Sequence, residues 1–360
     1  MNIVSEKKMK VLIILPKITG KHDIGKSMFY DTFLEVYKDN PNYECELLFY
    51  QENNPDLINT PEQLNRRMLW NDFDICFFVP CFKMTPYLDT AKKLGKKLFF
   101  FVYDCYFETY HIYPFPKWGT EQSNNISPNR RTNFRMFIKS ENVIRHHIGP
   151  HTPFQLSEYS NLMIQDYGVD EEEFPNVHCT FFPHPVETYK PCNEEEKLYD
   201  VSFGGSFHTP ERKITVDILE NNGIPVHKFG LLNVKSDVEN ETLTHSSFAD
   251  NISKSKITLN FNRNRGLLHK LSRMYEAAAC RTFIMTKDPE PYYSRGKWAF
   301  KPGEHFATFD ESNVVDVVKY YLDNPEERIK ISNSMHDYWK NNYTSKHFWD
   351  SIFNIYKKSL

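Results

Sequence analysis

The chain has 360 residues, of which 40% are hydrophobic and 25% are charged. A chain of this length and composition can bury a substantial core and is long enough for two domains, which excludes a disordered or fibrous protein. Its formal net charge of −3 excludes a protein that is basic throughout, although it leaves room for a local basic patch.

Apolar runs alternate with amphipathic stretches through the first half of the chain. We predict strands at KVLIIL, CELLFY, FDICFFV and KLFFFVY, and helices around residues 26–38, 61–70 and 85–94. This alternation is typical of a parallel sheet whose strands are joined by crossover helices. Residues 105–140 lack such a period and predict a long functional loop region at the carboxyl ends of the strands.

A second alternating series follows the segment FFPHPVETYKPCNEEEK, whose prolines and charges predict a linker. It has predicted strands at DVSFGGS, PVHKFG, KITLNFN and RTFIMT, helices at 211–222 and 267–279, and three closing helices at NVVDVVKYYLD, PEERIKISNSMHDYWKNN and SKHFWDSIFNIYKK. Two such series predict an α/β fold of two Rossmann-like, doubly wound domains facing across a cleft. We expect a first domain at residues 1–190, a second at 195–342, and a final helix, 345–360, that packs back on the first.

No stretch of the sequence is apolar for long enough to cross a bilayer, and the N-terminus lacks the apolar run of a secretory signal. The seven cysteines have no CxxC spacing, so we predict a cytoplasmic protein with reduced, buried thiols. Asp72 and Asp74 form a DxD-like pair, but they precede their strand and are read as polar residues at its entry. No His or Cys cluster has metal-ligand spacing, and no protein-held metal is predicted.

Residues 20–27, GKHDIGKS, lie between a predicted strand and a predicted helix and match the G-x-x-x-x-G-K-S pattern of a P-loop. Asp104, at the end of KLFFFVY, stands where a nucleotide phosphotransferase would place a magnesium-binding carboxylate. The match has few defined positions, and it leaves the whole second α/β series unexplained. The favoured interpretation of Gly20 to Ser27 is therefore a glycine-shaped turn that overlooks the cleft, with the phosphotransferase as an alternative.

The segment YDVSFGGSFHTPERK combines a strand, a glycine turn and the start of a helix. Gly204, Gly205 and Ser206 end the strand, and glycines let a backbone approach a diphosphate closely. The helix begins near Pro210, where free N–H groups and positive potential favour an anion. Arg212 lies in its first turn and can add a charge-assisted contact.

The segment LSRMYEAAACRTFIMT places Arg273 and Glu276 three residues apart, on one face of a predicted helix. A guanidinium suits a phosphate, and a carboxylate there can accept both hydroxyls of a ribose. A pair of solvated helix charges is the alternative. The adjoining AAAC run must pack tightly on a strand, which indicates that this end of the helix is not freely exposed.

These segments resemble the nucleotide-sugar half of GT-B glycosyltransferases. NFNRNRG through KPGEHFATFDE, with the following NPEERIKISNS, is similar to the C-terminal domain of the CgeB-like glycosyltransferases. DVSFGGSF, HKFG, FFPHPVETYK and the R-x-x-E pair also resemble the DNA β-glucosyltransferases of T-even bacteriophages, over most of residues 98–290. The resemblance implies an acceptor-binding first domain and a second domain that binds a nucleotide sugar, expected to be a UDP-sugar.

Carried over residue by residue, the phage pattern makes Asp104 the general base and makes Arg212, Arg273 and Glu276 the residues that hold the diphosphate and ribose. His208 is a departure, because it stands where the phage enzymes have a further phosphate-binding arginine. Leu268 is another, because retaining GT-B enzymes have a glutamate eight residues before the second one. This departure favours an inverting mechanism. A magnesium or manganese ion held loosely on the diphosphate is compatible with the pattern.

The segment SPNRRTNFRMFIKSENVIRHH suggests an acceptor. Its cations, which include Arg130, Arg131 and Arg135, are interleaved with phenylalanines, and Tyr110 and Trp118 upstream offer stacking surfaces. Such a patch can neutralise phosphates and separate bases, although a solvated loop and helix face is an equal alternative. The first hypothesis is sugar transfer to 5-hydroxymethylpyrimidine bases, such as hydroxymethylcytosine, in double-stranded phage DNA, which would place the protein in a host cytoplasm. Transfer to a glycan, lipid or protein, and a non-catalytic nucleotide-sugar-binding module, stay open.

Overall fold

A computed structural model describes residues 8–16, 26–50, 73–78, 98–102, 162–165, 177–179, 181, 183–205, 207, 210–230, 245–261, 272–287 and 300–358. The chain forms two compact units. The first comprises Met1–Lys17, Tyr37–Thr180 and Ile352–Leu360, and the second comprises Ile18–Val36 and Phe181–Ser351. The second unit therefore contains residues 18–36, 181–194 and 343–351, which the sequence analysis places outside the second domain.

The first sheet has six parallel strands in the order β2-β1-β3-β4-β5-β6. Their bounds are Met9–Pro16 (β1), Tyr43–Tyr50 (β2), Ile75–Phe78 (β3), Leu98–Val102 (β4), Leu162–Gln165 (β5) and Val177–Cys179 (β6). A strand covered on both faces reads as a continuous apolar run, and this is why KVLIIL forms β1, where Val11 pairs with Cys45 on one side and Ile75 on the other. The first four strands match the sequence prediction, whereas β5 and β6 were not predicted.

The predicted helix around residues 26–38 is observed as a π-helical turn, Lys26–Asp31, followed by α1, Thr32–Tyr37. Its apolar face buries Met28, Phe29 and Phe33, each at most 6% exposed. In the last turn the carboxylate of Glu35 accepts the backbone N–H of Val186 at 2.9 Å. Burial raises the pKa of Glu35, and this bond acts in the opposite direction.

The second sheet has five parallel strands in the order β11-β10-β9-β7-β8. They are Tyr199–Gly204 (β7), Val226–Phe229 (β8), Ser255–Asn260 (β9), Phe283–Lys287 (β10) and Ala307–Phe309 (β11). The helices described with them are Pro210–Asn221 (α2), His245–Ser253 (α3), Ser272–Ala279 (α4), Val314–Asp323 (α5), Pro325–Asn342 (α6) and Ser345–Lys358 (α7). The prediction of a mixed α/β protein with two parallel sheets is confirmed.

The final helix, α7, belongs to both units. Within the second unit its Trp349 packs edge-on against Phe33 at 5.2 Å between ring centroids, and the indole Nε1 donates to Thr32 Oγ1 at 3.1 Å. Within the first unit its Phe353 packs against Tyr37 and Tyr43, at 5.4 and 5.0 Å. A wide stripe of aromatic side chains thus explains why SKHFWDSIFNIYKK forms a helix in this place.

The predicted linker is not a solvated tether. Residues 183–197, here the connecting segment, turn at Pro185, whose carbonyl accepts the backbone N–H groups of Thr188 and Tyr189 at 3.0 Å each. The side chains of His184 and Tyr189 are at most 1% exposed. Ser253 Oγ donates to the Lys190 carbonyl at 2.7 Å. Lys197 Nζ donates to the carbonyls of Ser253 and Ser255. The prediction failed because a composition rich in proline and charge does not reveal how many of these side chains are buried.

Candidate functional site

A glycine turn closes β7 at the carboxyl edge of the second sheet. Gly205 has a φ of +140° and donates its N–H to the Phe229 carbonyl at 2.9 Å. A Cβ at Gly204 would lie 2.5 Å from the ring of Phe229 and 2.9 Å from the ring of Phe248. Only glycine fits both positions, so the sequence Gly-Gly is required by the backbone angle at one residue and by the neighbouring rings at the other.

The helix after this turn, α2, begins at Pro210, as the sequence predicts. Arg212, in its first turn, has its guanidinium 6.0 Å from the ring centroid of Phe203, and its Nη1 lies 3.8 Å from where a Cβ would be at Gly205. The N-terminus of a 12-residue helix, a glycine turn and a guanidinium therefore lie together. Each of these features favours an anion.

Arg273 and Glu276 of α4 form a largely buried ion pair beside the same turn. Arg273 Nη1 lies 2.7 Å from Glu276 Oε2, and the side chains are 19% and 9% exposed. Arg273 Nη2 also donates to the Gly204 carbonyl at 3.2 Å, and the guanidinium lies 4.1 Å from the ring centroid of Phe248. The alternative of two solvated helix charges is therefore wrong. The pair joins α4 to the end of β7.

Tyr189 of the connecting segment is a further member of this group that the sequence did not indicate. Its side chain is 1% exposed. Burial raises the pKa of Tyr189 well above its usual value, and the negative charge of Glu276 raises it further. Burial and then Glu276 also raise the pKa of Cys280. The one available signal was an aromatic residue inside an otherwise polar segment.

Lys287 ends β10 at the same edge of the sheet. Its ammonium bonds Glu211 in the first turn of α2 and Glu311 beyond β11. Burial lowers the pKa of Lys287, but the hydrogen bonds to these two carboxylates outweigh burial and raise it. The lysine thus fixes the start of α2 against the end of β10.

The structure brings together five of the predicted site residues: Gly204, Gly205, Arg212, Arg273 and Glu276. The others lie outside the described residues and keep their predicted roles as predictions: Asp104, Tyr110, Trp118, Arg130, Arg131, Arg135, Ser206 and His208.

Two other motifs of the first half are partly described. Lys26, the lysine of GKHDIGKS, bonds Asp31 Oδ1 of the same π-helical turn at 2.8 Å, whereas residues 17–25 lie outside the described ranges. Asp74 accepts the Lys10 N–H at 2.9 Å and donates its own N–H to the Lys10 carbonyl at 2.9 Å. This is the strand-entry role that the sequence predicts for Asp74.

Among the residues that the structure describes, no group of three or more His, Cys, Asp or Glu side chains could hold a metal ion. Within the same part of the chain, every helix is too short or too polar to cross a membrane. Cys45, Cys76, Cys192 and Cys280 are free thiols, and Cys76 and Cys280 are buried.

Comparisons with known proteins bear on the second unit and on the whole fold. A family model described as glycosyl transferase-like matches residues 212–354. A search of curated protein sequences found no match. Among solved structures, Alr3699/HepE of Anabaena in complex with UDP and glucose is similar over 98% of this chain and 100% of its own, with a TM-score of 0.62 and 10% identity.

Two further structures have the same fold over nearly their whole length. The match to a glycosyltransferase of Rickettsia africae covers 98% of each chain, with a TM-score of 0.58 and 9% identity. The match to the sucrose-phosphate synthase of Thermosynechococcus elongatus covers 96% of this chain and 98% of the synthase, with a TM-score of 0.56 and 8% identity. These neighbours are GT-B glycosyltransferases, so the predicted GT-B fold is confirmed. The glycosyl transferase-like model over residues 212–354 agrees with the prediction of a glycosyltransferase.

Proposed function

From a GT-B fold that carries a glycosyl transferase-like domain, we propose that this protein transfers a sugar from a UDP-sugar to a hydroxyl group of an acceptor. One observation carries the proposal: the carboxylate of Glu276, only 7% exposed, is held beside a glycine turn at the carboxyl edge of a parallel sheet. Ligands of such sheets bind at this edge. The complexes of Alr3699/HepE with UDP and glucose and with UDP-glucose support a uridine nucleotide as the donor.

In this proposal the ribose and the diphosphate of the donor contact different groups of the protein. Glu276 accepts hydrogen bonds from the ribose hydroxyls, because an ionised carboxylate offers only acceptors. The diphosphate lies against Gly204 and Gly205, with Ser206, His208 and Arg212 and the N-terminus of α2 supplying donors and positive charge. Arg273 uses two of its N–H groups on Glu276 and Gly204, and the others are assigned to the nearer phosphate.

The proposed reaction is a displacement at the anomeric carbon. The acceptor oxygen forms a bond to that carbon while the bond from the carbon to the diphosphate oxygen breaks, and Asp104 takes the hydroxyl proton. UDP leaves with the electron pair of the broken bond, and Arg212, Arg273 and the helix N–H groups stabilise its charge. Such a displacement inverts the anomeric configuration, which agrees with a leucine at position 268.

Nucleotide binding is the first test. Calorimetric titration should show that UDP binds and that ATP does not. Glu276→Gln should lower the affinity for UDP by about tenfold or more, which corresponds to a loss of about 1.4 kcal/mol of binding free energy. Glu326→Gln, at an exposed glutamate in the first turn of α6, is the matched control and should leave the affinity unchanged. ATP binding in preference to UDP would overturn the proposal in favour of a phosphotransferase.

Catalysis is tested separately from binding. With a UDP-sugar as donor, Asp104→Asn should abolish transfer while UDP still binds, because the variant side chain cannot take up the proton. Undiminished turnover would remove Asp104 from the mechanism. Nuclear magnetic resonance of the fresh product should show an inverted anomeric centre.

For the acceptor, the proposal takes the hydroxymethyl group of a modified pyrimidine in double-stranded DNA. The support is the basic and aromatic segment around Arg130, Arg131 and Arg135, with Tyr110 and Trp118 as stacking surfaces. A mass-spectrometric screen of UDP-sugars against hydroxymethylcytosine DNA should detect the glycosylated base. Gel shifts should weaken with added salt, as contacts to phosphates require. Transfer to a glycan, lipid or protein instead would leave the donor chemistry standing and replace the acceptor.

A further inference from the structure

The ring of Phe248, near the start of α3, lies against the ends of β7 and β8. It packs edge-on against the ring of Phe229 in β8, at 4.8 Å between ring centroids. The absence of a side chain at Gly204 leaves room for it, since a Cβ there would lie 2.9 Å from the ring. Gly230, the last residue of HKFG, has a φ of +90° and also lies beside the ring, where a Cβ would be 3.5 Å away. The ends of the two strands therefore help to fix the position of this ring.

The face of the same ring carries the guanidinium of Arg273. The guanidinium carbon lies 4.1 Å from the ring centroid of Phe248, which is close enough for a cation–π contact. The side chain of Arg273 is 19% exposed, and such contacts strengthen when the cation is withdrawn from water. The contact uses no N–H group, so it holds the cation without occupying a hydrogen-bond donor.

Three contacts together fix the plane of the Arg273 guanidinium. Nη1 donates to Glu276 at 2.7 Å, and Nη2 donates to the Gly204 carbonyl at 3.2 Å. Both bonds are made at the edge of the planar group, so they leave it able to tilt about the line through the two nitrogens. A ring against its face removes this tilt. Glu276 lies on the helix that carries Arg273, whereas Phe248 is held by α3 and β8, so the third contact is independent of α4.

We propose that Phe248 is a positioning residue of the donor site: its ring holds the Arg273 guanidinium in the orientation that meets the diphosphate of a UDP-sugar. This inference rests on the proposed function and ties it to one part of the ligand, the phosphate groups, because Phe248 acts only through a cation. A ligand that carries phosphates gains from this arrangement, whereas a nucleoside without phosphates does not.

The test compares UDP with uridine, which lacks the phosphates, on Phe248→Leu. Leucine fills much of the same space but offers no aromatic face to the cation. Titrations followed by nuclear magnetic resonance should show that the unaltered protein prefers UDP to uridine by about tenfold or more. In Phe248→Leu this preference should fall by about fivefold or more, with little change in the affinity for uridine. Phe248→Met should reproduce the loss, since methionine also lacks an aromatic face.

A matched control separates the cation contact from the packing of a ring. Phe309→Leu also replaces a phenylalanine of the second sheet, but Phe309 is 1% exposed in the core that it shares with residues of α2 and α5. This variant should lower the stability of the protein and keep the preference for UDP. A loss of preference equal to that in Phe248→Leu would overturn the inference.

A double-mutant cycle tests whether Phe248 acts through Arg273. In an Arg273→Gln background, Phe248→Leu should cause no further change in the preference, because the cation that the ring holds is gone. An unchanged preference in Phe248→Leu, or an equal loss of affinity for both ligands, would overturn the inference and leave the proposed function intact. Absence of UDP binding in the unaltered protein would overturn both.

Discussion

Strand β1 of the first sheet and the central strands of the second bury different kinds of side chain. In the first, β1 has neighbours on both sides and buries Val11 to Leu15, all aliphatic and 0% exposed. In the second, the three central strands bury polar side chains as well, at 5% exposure or less: Ser202, Thr258, Asn260 and Thr286. Asn260 ends β9, and its amide donates to the Thr286 hydroxyl at 3.4 Å near the end of β10.

The carboxyl ends of these central strands are formed by small, polar or charged residues. Strands β7, β9 and β10 end in Gly204, Asn260 and Lys287. A polar group is costly to bury without a partner, so burial alone would not select these residues. The sequence of β1 is therefore governed by packing, and that of the central strands of the second sheet is governed in part by the ligand that we propose to bind at their carboxyl ends.

The largest expected effect is on the stability of the first sheet. Ile13→Ala removes fully buried methyl groups from the centre of β1 and should destabilise the protein by about 2–5 kcal/mol. Chemical denaturation would measure this loss. The affinity of the remaining folded protein for UDP should be unchanged, and a large loss of affinity would break the division of roles between the two sheets.

Gly204→Ala should act on the site in the second sheet. The new methyl group would displace the rings of Phe229 and Phe248, and Phe248 supports the guanidinium of Arg273. Overpacking of this kind costs about 1–3 kcal/mol of stability, and we expect UDP affinity to fall by about 100-fold. Gly223→Ala, at φ +78° with no atom within 4 Å of the new Cβ, is the control and should leave affinity unchanged.

Replacing Arg281 with glycine should stabilise the protein. It follows α4 with a φ of +52°, a left-handed conformation that costs a non-glycine residue about 1–2 kcal/mol. Arg281→Gly should therefore raise the free energy of unfolding by about 1 kcal/mol while UDP binding is kept. A loss of stability would mean that the arginine side chain contributes more than its backbone strain costs.

Thr258→Val should have the smallest effect. The Thr258 hydroxyl is buried in β9 without a hydrogen-bond partner among the described residues, so its removal should be neutral or stabilise by up to about 1 kcal/mol. Thr215→Val is the contrasting variant, because Thr215 Oγ1 donates to the Glu211 carbonyl at 3.0 Å, and it should destabilise by about 1 kcal/mol. Destabilisation by Thr258→Val would show that this polar group is needed.

Much of the fold could be predicted, because its elements depend on local patterns. KVLIIL forms β1, and DVSFGGS followed by Pro210 predicts a strand, a turn and a helix start, since each has a clear signature. Strands β5 and β6 were not predicted, since their apolar runs, LMI and a single valine, are shorter than the run ICFF that forms β3. The π-helical turn at Lys26–Asp31 likewise has no sequence signature.

The candidate site was predictable only in part. Arg273 and Glu276 could be paired because they are three residues apart on one helix. The pair lies beside Gly204, Phe248 and Tyr189, which are distant from it along the chain. No local sequence pattern predicts that these residues come together. Tyr189 was also hidden by its surroundings, since prolines and charges on either side are typical of an exposed linker.

The packed connecting segment also determines where this chain can be recombined with a relative. A crossover near residue 195 would take Lys190 from one parent and Ser253 from the other, and so separate a carbonyl from the hydroxyl that bonds it. A crossover before Phe181, where the second unit resumes, would inherit both from the same parent. Exchange of donor specificity between such proteins should therefore succeed more often when the junction precedes this segment than when it follows it.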